Sequence, residues 1–177
     1  MFSFSDAYSQ LPLKSSKPRF SVVSSVGIIN GSSETSISIQ SVAGFSCNQS
    51  FAGIGLGVDH YMFRTIPLFA EIRQDFGKKS RKLFLYADGG YNFNWLTEQS
   101  SFGDYDHKGG SYYESGFGFK SVFKNEGALL VSFGYNNKQV RKELKFTGCP
   151  FSVPCLNPAD KYSYKMTRFI FRVGYQF

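Results

Sequence analysis

The sequence predicts an all-β protein, a closed antiparallel up-and-down eight-stranded β-barrel that spans a membrane. Eight segments of the 177-residue chain alternate apolar and polar side chains, which is the pattern of strands with two different faces. Apolar residues at helical spacing are not sustained, and no apolar run approaches the roughly 18 residues of a membrane helix. The low mean hydropathy fits a barrel, because only alternate residues of each strand face lipid.

The first four segments each have one apolar face. They are predicted at residues 20–29, 35–45, 51–61 and 67–76. In chain order, their apolar faces are Phe20, Val22, Val26 and Ile28; Ile37, Ile39, Ala43 and Phe45; Ala52, Ile54, Leu56 and Val58; and Leu68, Ala70, Ile72 and Phe76. The opposite face of the third segment carries Gly53, Gly55 and Gly57, which predicts that this face is crowded.

The last four segments follow the same rule. They are predicted at residues 83–95, 113–123, 129–136 and 162–177. In chain order, their apolar faces are Leu83, Leu85, Ala87, Tyr91, Phe93 and Trp95; Tyr113, Phe117, Phe119 and Phe123; Leu129, Val131, Phe133 and Tyr135; and Phe169, Phe171, Val173, Tyr175 and Phe177.

The connections between the segments alternate in length. Short turns are predicted at 47–49, 77–81 and 124–127, whereas 59–65, 96–109 and above all 138–161 are predicted to be longer loops. Barrels of bacterial outer membranes have short periplasmic turns and long outside loops. The alternation therefore predicts a barrel with both termini in the periplasm.

Aromatic side chains are predicted to form two belts at the membrane interfaces, with mostly aliphatic residues between them. The periplasmic belt is predicted to contain Phe20, Phe45, Phe76, Phe123 and Phe177. The outer belt is predicted to contain Tyr61, Phe93, Trp95, Tyr113 and Tyr135.

The polar faces of the strands predict a filled interior. They carry glycines together with charges of both signs, namely Glu71, Arg73, Asp75, Asp88, Glu114, Lys120, Arg168 and Arg172. Buried charges are tolerated only when paired, so Glu71, Asp88 and Glu114 are expected to form salt bridges to the basic members. Eight strands are few enough for side chains to fill the interior, which favours a plug over a pore. The rival architecture is a soluble lipocalin-type barrel, whose apolar face surrounds a ligand.

The last strand resembles the C-terminal strand of bacterial outer-membrane β-barrels, in which alternate apolar residues precede a terminal aromatic residue. The resemblance implies that Phe171, Val173, Tyr175 and Phe177 form the signal recognised by the barrel-assembly machinery. Nearly the whole chain after Phe20 resembles the small outer-membrane barrel family of Bacteroidetes-like bacteria. The segments that carry this resemblance are 53–61, 66–73, 87–93 and the final seven residues.

The N-terminal segment differs in composition from the strands. Ala7-Tyr8-Ser9 before Gln10 is typical of the cleavage end of a secretory signal. Residues 1–18 are therefore interpreted as the end of a signal peptide and a periplasmic lead-in, and 19–177 as the barrel domain.

Cysteine and histidine residues offer little chemistry. Cys149 and Cys155 lie in the longest predicted loop and are expected to form a disulfide in an oxidising compartment. Neither His60 nor His107 belongs to a motif with a serine nucleophile, and the Cys and His residues lack metal-ligand spacing. The sequence therefore predicts no metal, no cofactor and no catalytic residues.

The net charge of +7 does not indicate nucleic-acid binding, because the basic residues form no stripe interleaved with exposed aromatic residues. Phosphate-bearing lipid, including lipopolysaccharide, is the more natural partner. The sequence thus favours a non-enzymatic outer-membrane protein that presents its outside loops to a partner or surface ligand, or serves as a small subunit of a larger outer-membrane complex. The alternatives are a lipid-modifying enzyme and a narrow channel.

Overall fold

The computed structural model describes residues 17–31, 35–60, 64–77, 80–94, 98–100, 103–123, 127–145 and 161–177. The strands in this part of the chain are β1 (Arg19–Asn30), β2 (Thr35–Cys47), β3 (Ser50–Asp59), β4 (Thr65–Phe76), β5 (Arg81–Asn94), β6 (Glu98–Ser100), β7 (Gly103–Lys108), β8 (Gly110–Val122), β9 (Ala128–Lys145) and β10 (Lys161–Gln176). No helix among these residues is long and apolar enough to cross a membrane.

Eight of these strands close into a barrel, which confirms the predicted fold class. Each pairs antiparallel with its neighbours in the order β1-β2-β3-β4-β5-β8-β9-β10, and β10 pairs back with β1 from Val23↔Gln176 to Asn30↔Phe169. The backbone N–H of the last residue, Phe177, donates to the carbonyl of Val22 at 2.9 Å, so the final residue also ties the seam. The end of the barrel where β1 begins and β10 ends is called the terminal end below, and the opposite end is called the far end.

The strands at the far end are longer than predicted. Lys138 to Lys145 was predicted to be loop but continues β9, and the predicted loop at 96–109 contains the β6–β7 hairpin. Strand β7 pairs with the far end of β9, from Asp104↔Lys145 to Lys108↔Arg141. The alternation rule failed at these residues because it detects strands with one apolar and one polar face, and here polar and charged residues occur on both faces.

Apolar side chains cover the outside of the barrel. The outward faces are those predicted from the alternation, with exposed examples on every barrel strand, among them Ile28, Ile54, Ile72, Leu85 and Phe119. Two hydroxyls on this surface satisfy each other, since Ser24 Oγ lies 3.2 Å from Ser41 Oγ. An outward apolar face is favourable only against hydrocarbon, so the barrel suits a membrane and is the inverse of a lipocalin.

The interior holds an apolar cluster that the sequence analysis missed. Its buried members are Val23, Val42, Phe51, Phe69, Phe84, Tyr86, Tyr112 and Leu130. The rings lie over glycines of neighbouring strands, with Phe69 against Gly55 and Phe84 against Gly118, where a Cβ atom would overlap the ring. The inward glycines therefore make room for aromatic rings, and these rings fill the lumen together with the charged residues.

Candidate functional site

The candidate site is the polar network in the lumen, because it gathers most of the buried charges that the structure describes. Backbone register sets its geometry. Glu71 of β4 pairs with Asp88 of β5, Asp88 pairs with Glu114 of β8, Glu114 pairs with Asn136 of β9, and Asn136 pairs with Arg168 of β10. Residues in register share a face, so five adjacent strands direct polar side chains into one layer of the lumen.

Glu114 is the hub of this layer and is 2% exposed. Both of its oxygens accept hydrogen bonds from Arg172, in a bidentate arrangement. It also accepts from Tyr86 Oη at 2.9 Å, from Tyr112 Oη at 2.8 Å and from Asn136 Nδ2 at 2.9 Å. Bidentate guanidinium pairing with additional donors is the arrangement that makes a buried carboxylate tolerable.

Asp59 is the centre of a second cluster, nearer the far end. It accepts from Arg168 Nη1 at 2.9 Å and from Lys138 Nζ at 3.2 Å, and Lys138 also donates to Thr65. Arg168 Nη2 donates to Asn136 Oδ1 at 2.7 Å. Because Asn136 also binds Glu114, its amide joins the two clusters into one continuous network.

Three further ion pairs lie toward the terminal end. Arg73 binds Glu71, and its guanidinium lies 5.3 Å from the Phe51 ring centroid and 4.9 Å from that of Phe84. At the mouth, Lys120 Nζ lies 3.1 Å from Asp75 Oδ2. Lys82 Nζ lies 3.8 Å from the same oxygen. The lysines at the mouth are partly exposed, so water reaches their ion pairs with Asp75 more easily than it reaches the buried pair of Arg172 and Glu114.

The structure places all eight residues proposed for the interior network inside the barrel. Glu71 binds Arg73 and Glu114 binds Arg172, within the expected set, but the other pairings differ. Arg168 binds Asp59 instead of one of the three expected carboxylates, and Lys120 binds Asp75. The expected salt bridge of Asp88 is absent, because neither of its oxygens has a hydrogen-bond partner among the described residues. Pairing depends on which strands adjoin across the lumen, and the sequence alternation does not contain that information.

Several members of the network were missed from sequence. Lys138 was assigned to a loop, yet its side chain is fully buried. The signal was available, because Asn136 and Lys138 are two residues apart and a longer β9 places both on the inward face. Tyr86 and Tyr112 were not expected to bind a carboxylate, and their hydroxyls gave no separate signal.

A small cavity remains between these side chains. A cavity of about 20 Å³ lies among Ser25, Gln40, Arg73, Tyr86 and Arg172. A cavity of this size holds on the order of one water molecule, because a water needs roughly 10–15 Å³ by this measure. This cavity is therefore a candidate hydration site of the lumen.

The residues predicted for the aromatic belts, the assembly signal and the disulfide lie on the outer surface or outside the described residues. The described belt residues Phe20, Phe45, Phe76, Phe93, Phe123, Tyr113, Tyr135 and Phe177 are exposed on the outer surface, as are Phe171, Val173 and Tyr175 of the last strand. Tyr61, Trp95, Cys149 and Cys155 lie outside the described residues. The described part of the chain contains no group of three His, Cys, Asp or Glu residues arranged to hold a metal ion.

No family model matches the chain, and no curated protein matches it. Solved structures of similar fold include Neisserial surface protein A, with 13% identity and a TM-score of 0.64, covering 91% of this chain and 98% of that one. The N-terminal β-barrel domain of Pseudomonas aeruginosa OprF has 12% identity and a TM-score of 0.55, covering 91% and 100%. The outer membrane protein AlkL has 11% identity and a TM-score of 0.56, covering 89% of each chain. At these identities the similarity concerns the fold alone, and that fold is the small eight-stranded barrel of outer-membrane proteins.

Proposed function

We propose that this protein is a non-enzymatic integral outer-membrane protein of a Gram-negative bacterium, with a sealed lumen and a far end that meets a partner outside the cell. The observation that carries the proposal is the division of the barrel into an apolar outer surface and a polar, salt-bridged interior. This division is stable in a lipid bilayer, where the sheet must close so that every backbone group is paired. It leaves the protein's ends as its contact surfaces.

The orientation proposed is the one with both termini in the periplasm. The turn between β2 and β3, at Asn48 and Gln49, lies at the terminal end and is only two residues long. Asn48 adopts a positive φ of 56°, which asparagine tolerates better than most residues. Tight turns are typical of the periplasmic side. In this orientation Phe171, Val173, Tyr175 and Phe177 form the signal for the barrel-assembly machinery.

The proposed contact surface at the far end is the sheet formed by β6, β7, the end of β9 and the start of β10. It brings basic positions together, since Lys108 of β7 is in register with Arg141 of β9. In β10, the register partner of Arg141 is Ser163, and Lys165 lies two residues further along that strand. Asp106 and Glu143 pair two positions further out. Basic positions next to the membrane surface favour phosphate-bearing lipid such as lipopolysaccharide, or an acidic face of a larger outer-membrane complex.

The sealed lumen is tested by planar-bilayer recording of the purified protein. We expect no steady single-channel steps, because the Glu114 and Asp59 clusters occupy the lumen. Stepwise conductance that persists in protein from several preparations would contradict the sealed lumen and indicate a narrow channel. Lipid A profiles of cells with and without the protein test the enzymatic alternative, and identical profiles are expected.

The partner is tested by affinity purification from native outer membranes. Co-purification of one larger outer-membrane protein in fixed ratio supports the complex, and enrichment of lipopolysaccharide alone supports the lipid partner. Reversing the charges of Lys108 and Arg141 is expected to weaken either interaction, and reversing Lys17, which precedes β1 at the terminal end, serves as the control. Recovery in the cytoplasmic fraction would contradict the proposed location.

A further inference from the structure

Asp88 is a buried carboxyl group to which no described residue of the lumen donates a hydrogen bond. Its side chain points inward from β5 and the residue is 4% exposed. Neither oxygen accepts a hydrogen bond from any described residue. Burying an ionised carboxylate without a partner costs several kcal/mol even after relaxation, so its negative charge has to be compensated.

The neighbours of Asp88 make compensation of its negative charge more necessary. In register on either side are Glu71 and Glu114, two more carboxyl groups. The remaining charged or titratable groups around it are Arg73, Arg172, Tyr86 and Tyr112. Arg73 binds Glu71, and Arg172 binds Glu114 in a bidentate pair. Three carboxyl groups thus share two guanidinium groups, and one negative charge remains at Asp88.

The other cations of the lumen do not meet this need. Arg168 and Lys138 bind Asp59. In the polar layer, Glu114 and Asn136 lie between Asp88 and Arg168. Lys120 and Lys82 bind Asp75 at the mouth. Asn92, the other inward residue of β5 without hydrogen-bond partners, is neutral, so water alone can satisfy it.

We propose that Asp88 is a binding site for one univalent cation, a proton or an alkali-metal ion, inside the closed barrel. A divalent metal does not fit, because no three acidic, histidine or cysteine side chains of the described residues are arranged around one point. A univalent cation adds the one positive charge that balances the three carboxylates against the two guanidinium groups. The site is independent of the partner proposed for the far end, and its failure leaves that proposal unchanged.

The test compares the full-length protein with Asp88→Asn, refolded into phosphatidylcholine vesicles and unfolded with urea. One series runs from about pH 6 to about pH 9, a range above the intrinsic titration of exposed carboxyl groups. The other replaces choline by sodium or potassium at constant ionic strength and constant pH. Asparagine keeps the shape of the side chain and removes its charge, so only the wild type needs the cation.

The two sources of positive charge give different results. If the cation is a proton, the folded barrel holds it and the unfolded chain releases it, so raising the pH favours unfolding. The wild-type unfolding constant then rises by up to about tenfold per pH unit relative to Asp88→Asn. If the cation is an alkali ion, the wild-type constant falls as sodium or potassium replaces choline, and that of Asp88→Asn does not.

A second variant keeps the test decisive if Asp88→Asn folds poorly. Glu71→Gln releases Arg73, whose guanidinium then becomes available to Asp88, and we expect this variant to lose the wild-type dependence as well. The proposal is overturned if wild type, Asp88→Asn and Glu71→Gln respond equally to pH and to alkali ions.

Discussion

At the scale of single residues, the lumen shows how a barrel accommodates buried charge. Glu114 is stable in the interior because five hydrogen bonds from four residues surround it. Replacing a buried ion pair by apolar groups is often harmless, but removing one partner leaves the other charge uncompensated. The consequence of a substitution therefore depends on how well water can reach the partner that remains.

Glu114→Gln tests this point. It removes the charge of the carboxylate that binds Arg172 in a bidentate pair and turns one accepting oxygen into an amide donor, so we expect the free energy of unfolding to fall by about 3–5 kcal/mol. Asp75→Asn is the matched control, because its partners Lys120 and Lys82 are partly exposed to solvent, and its loss should be clearly smaller. Urea unfolding in vesicles measures both, and equal losses would contradict the special burial of Glu114.

At the scale of strands, glycines and aromatic rings fit together across the inward faces. Phe84 of β5 lies over Gly118 of β8, and Phe69 of β4 lies over Gly55 of β3. In each case the ring occupies the space that a side chain would fill. Glycine weakens a strand by itself, so its presence here reflects the close approach of a ring from the next strand.

Gly118→Ala is expected to lower the free energy of unfolding by about 1–3 kcal/mol, because its Cβ would overlap both the Phe84 ring and the Val131 carbonyl. Gly89→Ala is the control in the neighbouring strand. A Cβ there meets only Tyr113 Cδ1, at 3.9 Å, so stability should be unchanged or slightly higher. A neutral Gly118→Ala would mean that the ring moves aside without cost.

At the scale of the whole molecule, closure and the apolar surface act together. The seam between β1 and β10 removes the open sheet edges that a bilayer does not tolerate. The exposed apolar side chains then require a hydrocarbon solvent. A charge on this surface is costly in proportion to its depth in the membrane.

Leu56→Arg places a charge in the middle of the outward face of β3, where Leu56 is 57% exposed. We expect the free energy of unfolding in vesicles to fall by about 2–4 kcal/mol. His60→Arg, just past the end of the same strand, should have little effect because the exposed residue lies beyond the apolar band. Equal tolerance of both substitutions in vesicles would argue against a membrane-spanning surface at Leu56.

The sequence by itself determined the fold class, the existence of the eight barrel strands and the face to which each side chain of the predicted segments belongs. This was accessible because side chains of a strand alternate with period two, so local order specifies orientation directly. The tertiary structure decided that Lys138 lies inside the barrel, that Arg168 binds Asp59, and that no described residue donates a hydrogen bond to Asp88. These facts depend on register and on which strands meet across the lumen, and residues up to 109 positions apart in the chain determine them.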